Sequence, residues 1–142
     1  MSTNTAVVTL QENVRWKAES GSGHSVIIDG PVEAGGENAG FRPMELMLVA
    51  LGGCMAYDML MILTRMREDI TGYELKANGE RADDPPTVYT SVKLEHTITG
   101  HDVSEANVKR ALSLAENKYC SASAMFSKTA KLTNSFRIVE AG

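Results

Sequence analysis

The stretch from Pro43 to Arg67, PMELMLVALGGCMAYDMLMILTRMR, decides the fold. Pro43 suits the first turn of a helix, where its missing N–H would go unpaired anyway, and Met44 to about Arg67 are mostly good helix formers. Apolar residues fall all round this helix, so most of its circumference needs cover from protein. At 1.5 Å per residue it is about 36 Å long, more than a small chain covers easily, and a homodimer is expected. A bilayer is the competing cover, because Leu46 to Leu63 is an 18-residue run with Asp58 as its only charge. That mid-run carboxylate, the Gly52-Gly53 pair and a length short of the roughly 20 apolar residues of a span favour a buried central helix. No membrane partner is expected.

Outward from the helix the pattern turns to strands. Upstream, Ala6-Val-Val-Thr9, the alternating Val14-Arg-Trp-Lys-Ala18 and His24-Ser-Val-Ile-Ile-Asp29 read as three short strands, with Gly21-Ser-Gly23 as a turn. After Asp29-Gly30-Pro31 the chain is polar and glycine-rich to Gly40, and reads as a flexible loop leading into the central helix and able to wall a site. Downstream, Tyr73–Arg81 and Thr87–Thr99 form a hairpin around Asp83-Asp-Pro-Pro86, which no strand runs through. Ser104 then caps a helix whose apolar face is Val108, Ala111, Leu112, Ala115 and Tyr119 and which ends near Cys120. Ser121 is placed to cap a short helix from Ala122 to about Thr129, and Ser135–Val139 is a closing strand. The order βββ-α-ββ-α-β lacks regular βαβ alternation and predicts an α+β architecture with mainly antiparallel sheets.

With 142 residues, the chain is sized for one domain, residues 1–142, with a real core. A net charge of −4 and no cluster of Lys and Arg argue against nucleic acid as a partner. The start, Met1-Ser-Thr-Asn-Thr-Ala-Val-Val, lacks the basic flank and apolar core of a signal peptide, so the cytoplasm is the expected location. In that reducing compartment the two cysteines are not expected to form a permanent staple.

Cys54 follows two glycines in mid-helix, each costing roughly 1 kcal/mol relative to alanine. They fit a thiol that something must approach closely, and equally a tightly packed helix. A thiol reacts as its thiolate, so a reactive cysteine needs a cation, a helix N-terminus or donors nearby. On the helix, Met47, Ala50, Leu51, Tyr57, Asp58 and Met61 share the face of Cys54, and the Asp58 carboxylate opposes ionisation if it points inward. Activation must come from elsewhere, with Arg42 and Arg15 as candidates. Arg15 reads equally as an exposed strand residue, and Arg42 as a loop cap or partner of Glu45. Cys54 and Cys120, 66 positions apart, meet only through the fold. If they do, a peroxide can oxidise Cys54 to a sulfenic acid that Cys120 resolves; otherwise both are inert buried thiols. Six of the eight methionines lie between Met44 and Met66, as an adaptable lining suited to an organic hydroperoxide or as plain core. Because His24, His96 and His101 show no paired spacing, no metal site is expected.

The segment from Arg42 through Pro43 and Glu45 to Gly52-Gly53-Cys54 resembles the motif that opens the central helix of the OsmC/Ohr superfamily. Ala56-Tyr-Asp58, Val14-Arg-Trp16 and Ser22-Gly-His24 are similar to its YhfA-like branch, and Glu116-Asn-Lys-Tyr-Cys-Ser121 to the family's second cysteine motif. The resemblance covers nearly the whole chain. It implies an OsmC-like fold in an intertwined homodimer with its sites at the subunit interface, Cys54 as the peroxide-attacking thiol and Cys120 as its resolving partner. Organic hydroperoxide is the implied substrate, a dithiol such as a lipoyl group the reductant, and no metal or organic cofactor is implied. In the family's peroxidases an acidic residue directly follows the motif proline; here Met44 stands there and Glu45 comes next. Glu45 is nine positions before Cys54, about 180° round a regular helix, whereas ten positions would be about 80°. Glu45 therefore supports a site only through the helix start, a kink or a second subunit. Neither Arg15 nor Arg42 sits in a motif of its own.

Overall fold

The long apolar run forms a single helix, α1 (Pro43–Arg65), in a computed structural model that describes residues 2–142. The chain divides into two units, the first ending at Met47 and the second running from Leu48 to Gly142.

In the first unit, β1 (Ala6–Glu12), β2 (Arg15–Ser20) and β3 (Ser25–Ile28) form an antiparallel sheet in the order β1-β2-β3. Val8 pairs with Ala18, and Ala18 in turn with Val26. Every residue of β1 is exposed, Val7, Val8 and Leu10 by half or more. Residues 32–40 differ from the flexible loop expected of them. Asp29, 2 % exposed, accepts the backbone N–H groups of Gly30, Glu37 and Ala39, and Phe41 and Ile27–Asp29 exchange backbone bonds. One short side chain thus satisfies three amide donors, and a 3-10 turn at Val32–Ala34 takes up the slack. Gly36 and Gly40 permit the closure, because a Cβ on either would stand 2.2 Å from a backbone oxygen.

The second unit holds β4 (Asp69–Arg81), β5 (Tyr89–His101) and β6 (Lys131–Glu140), in the order β4-β5-β6. β4 and β5 are the expected hairpin, but β6 runs parallel to β5, so the sheets are not wholly antiparallel. A parallel neighbour needs a crossover, here α2 (Glu105–Leu114), a π-helical turn (Ala115–Tyr119) and α3 (Ser121–Phe126). Strict alternation along β5 puts Val92, Leu94, His96 and Ile98 on one fully buried face. Val108, Ala111 and Ala115 are buried from the α2 side.

The buried residues of α1 are Leu51, Gly52, Met55, Met59, Ile62 and Leu63. Elsewhere on the helix Val49, Tyr57, Leu60 and Met61 are 42–69 % exposed. By length and composition α1 would also be able to cross a membrane. At its far end Glu68 accepts from the backbone N–H of Ser104 and the amide of Asn107, each at 3.0 Å, while the Ser104 hydroxyl caps α2 through Asn107 N–H. A single carboxylate and a single hydroxyl therefore fix where α2 begins.

Candidate functional site

Cys54 and Asp58, one turn apart, stack on the same face of α1, and the Cys54 thiol faces the Asp58 carboxylate at 4.0 Å. Cys120 meets them from the start of α3. The two sulfur atoms and one Asp58 oxygen all lie within 4.8 Å of one another. Both cysteines are free thiols; Cys54 and Asp58 are half-buried, and Cys120 is buried.

The approach of Cys120 depends on two local departures from regular helix. After Leu114 the chain widens into the π turn, closed by Cys120 N–H donating to Ala115 O at 2.8 Å. The extra residue breaks the 3.6-residue period, so Tyr119, expected on the apolar face, is 47 % exposed. Cys120 itself, rather than Ser121, is the N-cap of α3: its backbone is extended, and its sulfur accepts the N–H of Ser123 at 3.3 Å. Burial pushes the Cys120 thiol pKa up and the neighbouring Cys54 adds to that, whereas the amide and hydroxyl of Ser123 pull it back. The Ser123 hydroxyl is buried and makes no hydrogen bond beyond that sulfur.

A polar chain through the core holds the π turn. Asn134 on β6 donates from Nδ2 to Glu116 Oε1 at 3.2 Å and accepts at Oδ1 from His96 Nε2 at 2.9 Å. With the proton on Nε2, His96 Nδ1 must accept, and the Tyr73 hydroxyl supplies the donor at 2.5 Å. Burial lowers the pKa of His96, opposed by Asn134 and the Glu116 charge, and burial raises that of Tyr73. Sequence reasoning weighed His96 only as a metal ligand. Its place in the alternation Val92, Leu94, His96, Ile98 was the available sign that it faces inward.

The supporting residues expected from the sequence all belong to the first unit. Arg15 pairs with Glu12 and Glu37 and donates to Gln11. Arg42 caps the preceding loop, donating to Asn38 Oδ1 and Gly40 O. Glu45 accepts the backbone N–H of Arg42 at 2.8 Å, the carboxylate half of a capping box at the start of α1.

Both readings of the glycine pair find a counterpart. A Cβ on Gly52 would stand 3.2 Å from Leu75 Cδ2, so Gly52 serves close packing against β4, whereas Gly53 faces open space. Beside Gly53 lies an open apolar concavity of about 420 Å³ lined by Leu48, Val49, Ala56, Leu75 and Ala77. At 100° per residue its α1 lining is centred roughly 170° from Cys54, so it is not the thiol site. The methionines also divide: Met55 and Met59 are core, while Met47 and Met61, which share the face of Cys54, are half exposed.

Residues 35–135 match the family described as "OsmC-like protein". "Protein YhfA" of Escherichia coli (strain K12) is 37% identical over 141 residues, covering 93% of this chain and 100% of that protein. A solved structure of a hypothetical protein from Aquifex aeolicus VF5 superposes with a TM-score of 0.88 at 24% identity, with 100% of both chains covered. The structure of an organic hydroperoxide resistance protein OsmC from Legionella pneumophila gives 0.72 at 17% identity, over 96% of this chain and 97% of that one. The two thiols thus sit on an OsmC/Ohr fold, and the chain belongs to the OsmC-like protein family.

Proposed function

We propose that the protein is a thiol-dependent peroxidase that reduces organic hydroperoxides in oxidative-stress defence in the cytoplasm. The carrying observation is the convergence of two free thiols, Cys54 half-buried and Cys120 buried. Cys54, as its thiolate, attacks the O–O bond; the alcohol leaves after taking one proton, and the sulfur becomes a sulfenic acid. Cys120 then displaces water from that sulfur to form the Cys54–Cys120 disulfide. An external dithiol, such as a lipoyl group, regenerates both thiols and is itself oxidised. Arg15, Arg42 and Glu45 are supporting residues in this reading, with Glu45 acting through the helix start it caps.

In the same reading the chain is a single OsmC-like domain working as an intertwined homodimer. The apolar face of α1 at Val49, Tyr57, Leu60 and Met61 and the exposed β1 residues Val7, Val8 and Leu10 support this, as such surface calls for a partner. The test of the chemistry is a pair of variants. Cys54→Ser should abolish turnover of an alkyl hydroperoxide, and Cys120→Ser should stall as a sulfenic acid that a cyclic diketone traps. Full turnover by Cys54→Ser would defeat the proposal.

A second reading, a non-catalytic protein that binds a small apolar ligand at the dimer interface, is favoured by the concavity beside Gly53. Mass spectrometry of the purified protein separates the two, because the binder carries a ligand and the peroxidase comes out empty and turns over.

A further inference from the structure

Two thiols and a carboxylate converging from two helices form a ligand set as well as a redox pair. We propose that the reduced protein binds one Zn(II) ion per chain through Cys54 Sγ, Asp58 and Cys120 Sγ, with a fourth position open to water or another exogenous ligand. The inference uses the thiols of the proposed peroxidase and does not rest on their redox chemistry.

Geometry comes first. Tetrahedral zinc with Zn–S of about 2.3 Å and Zn–O of about 2.0 Å needs ligand atoms roughly 3.5–3.8 Å apart. The three atoms here already lie within 4.8 Å of one another, and Cys54 and Asp58 at 4.0 Å. A contraction of about 1 Å or less closes the set, within reach of side-chain rotation. Cys54 and Asp58 are one helical turn apart on one face, the spacing that lets a single helix supply two ligands. Among the described residues no Lys, Arg or His side chain hydrogen-bonds or ion-pairs with Asp58 or either sulfur, so the cluster has acceptors without a neutralising partner.

The surroundings of Cys120 add a second observation. Ser123, 1 % exposed, lies beside that sulfur: its N–H donates to Sγ, and its hydroxyl, which pulls the thiol pKa down, makes no other hydrogen bond. A metal-bound thiolate is a stronger acceptor than a thiol for both groups, and two donors to one sulfur are the outer-shell support that thiolate ligands use. The donor types choose the ion. Two thiolates disfavour Mg(II) and Ca(II), and a carboxylate beside them suits borderline Zn(II) better than Cu(I). His24, His96 and His101, whose spacing argued against a metal, are not in the cluster. Binding releases the two thiol protons, leaving the site with a net charge of −1: zinc's 2+ against two thiolates and one carboxylate.

The test is a titration of the full chain, chelator-treated and verified to hold two free thiols, with Co(II) and then Zn(II) in the absence of oxygen. Expected are one ion per chain, a thiolate-to-cobalt charge-transfer band that Zn(II) displaces, and release of about two protons. Asp58→Asn, a near-isosteric change at a half-buried site, should keep the band and weaken binding about tenfold or more. Cys54→Ser should halve the band, and Ser123→Ala should weaken binding with the band intact. Absence of the band in the unmodified protein, or undiminished affinity in Asp58→Asn, overturns the site, as does tighter competition by Cu(I) without Asp58 dependence. Peroxide consumption separates the two ideas: a chain that binds metal but leaves peroxide untouched loses the peroxidase and keeps this site, and the converse holds equally.

Discussion

Replacing Tyr73 by Phe removes one oxygen and leaves a buried nitrogen without a donor. His96 is 1 % exposed, and its Nε2–H is committed to Asn134 Oδ1 at 2.9 Å, so Nδ1 relies on the Tyr73 hydroxyl. An unsatisfied buried acceptor costs about 1–3 kcal/mol, and Tyr73 is itself half-buried, so a loss of about 1–2 kcal/mol is expected. Urea unfolding at fixed protein concentration reads it as a lower midpoint at unchanged slope. The same network sets a pH dependence. Burial lowers the folded-state pKa of His96, so below the ordinary value of 6.5 the unfolded chain binds a proton that the folded one refuses. Stability is therefore full above about pH 6.5 and falls as the pH drops from there toward the lowered folded value. His96→Gln should flatten that part of the curve. A Tyr73→Phe midpoint equal to that of the unmodified protein, or an unchanged slope in His96→Gln, would refute the network as described.

Other perturbations follow from single contacts. Gly53→Ala should raise stability by about 0.5–1 kcal/mol, since its Cβ meets nothing within 4 Å, whereas Gly52→Ala should gain less or nothing against Leu75; thermal melts of the pair check the difference. Ser104→Ala should cost about 1 kcal/mol through the lost cap on α2, and Glu68→Ala a similar amount, both read as a shift in unfolding midpoint. Gly36→Ala should be strongly destabilising, because its Cβ would collide with Gly30 O, and limited proteolysis should then cut within residues 30–40.

How far the sequence reached depended on whether the local pattern and the tertiary role agreed. The central helix was legible because Pro43, the helix formers and the apolar run all point the same way, and its ends fell within two residues of the observed Pro43–Arg65. β6 was read as Ser135–Val139 and is Lys131–Glu140, because Asn134 fills an inward slot and interrupts the apolar alternation. That same substitution of a polar group for a core one hid the chain from Tyr73 to Glu116. Ser121 looked like the better cap because hydroxyls usually serve, yet the π turn advances the chain so that the Cys120 sulfur takes the Ser123 N–H. Insertion of one residue into a helical turn leaves no composition signal, and it decides where Cys120 points. Residues 32–40 looked loose because their order comes from one carboxylate, Asp29, lying outside them.

The central claim is that Cys54 and Cys120 act as a redox pair, and the most direct measurement counts thiols. Metal-free, reduced protein mixed with one equivalent of an alkyl hydroperoxide should lose both thiols per chain rapidly, with one alcohol formed, while Cys54→Ser keeps its remaining thiol. Two thiols persisting at the same rate in the presence and absence of peroxide would contradict the account.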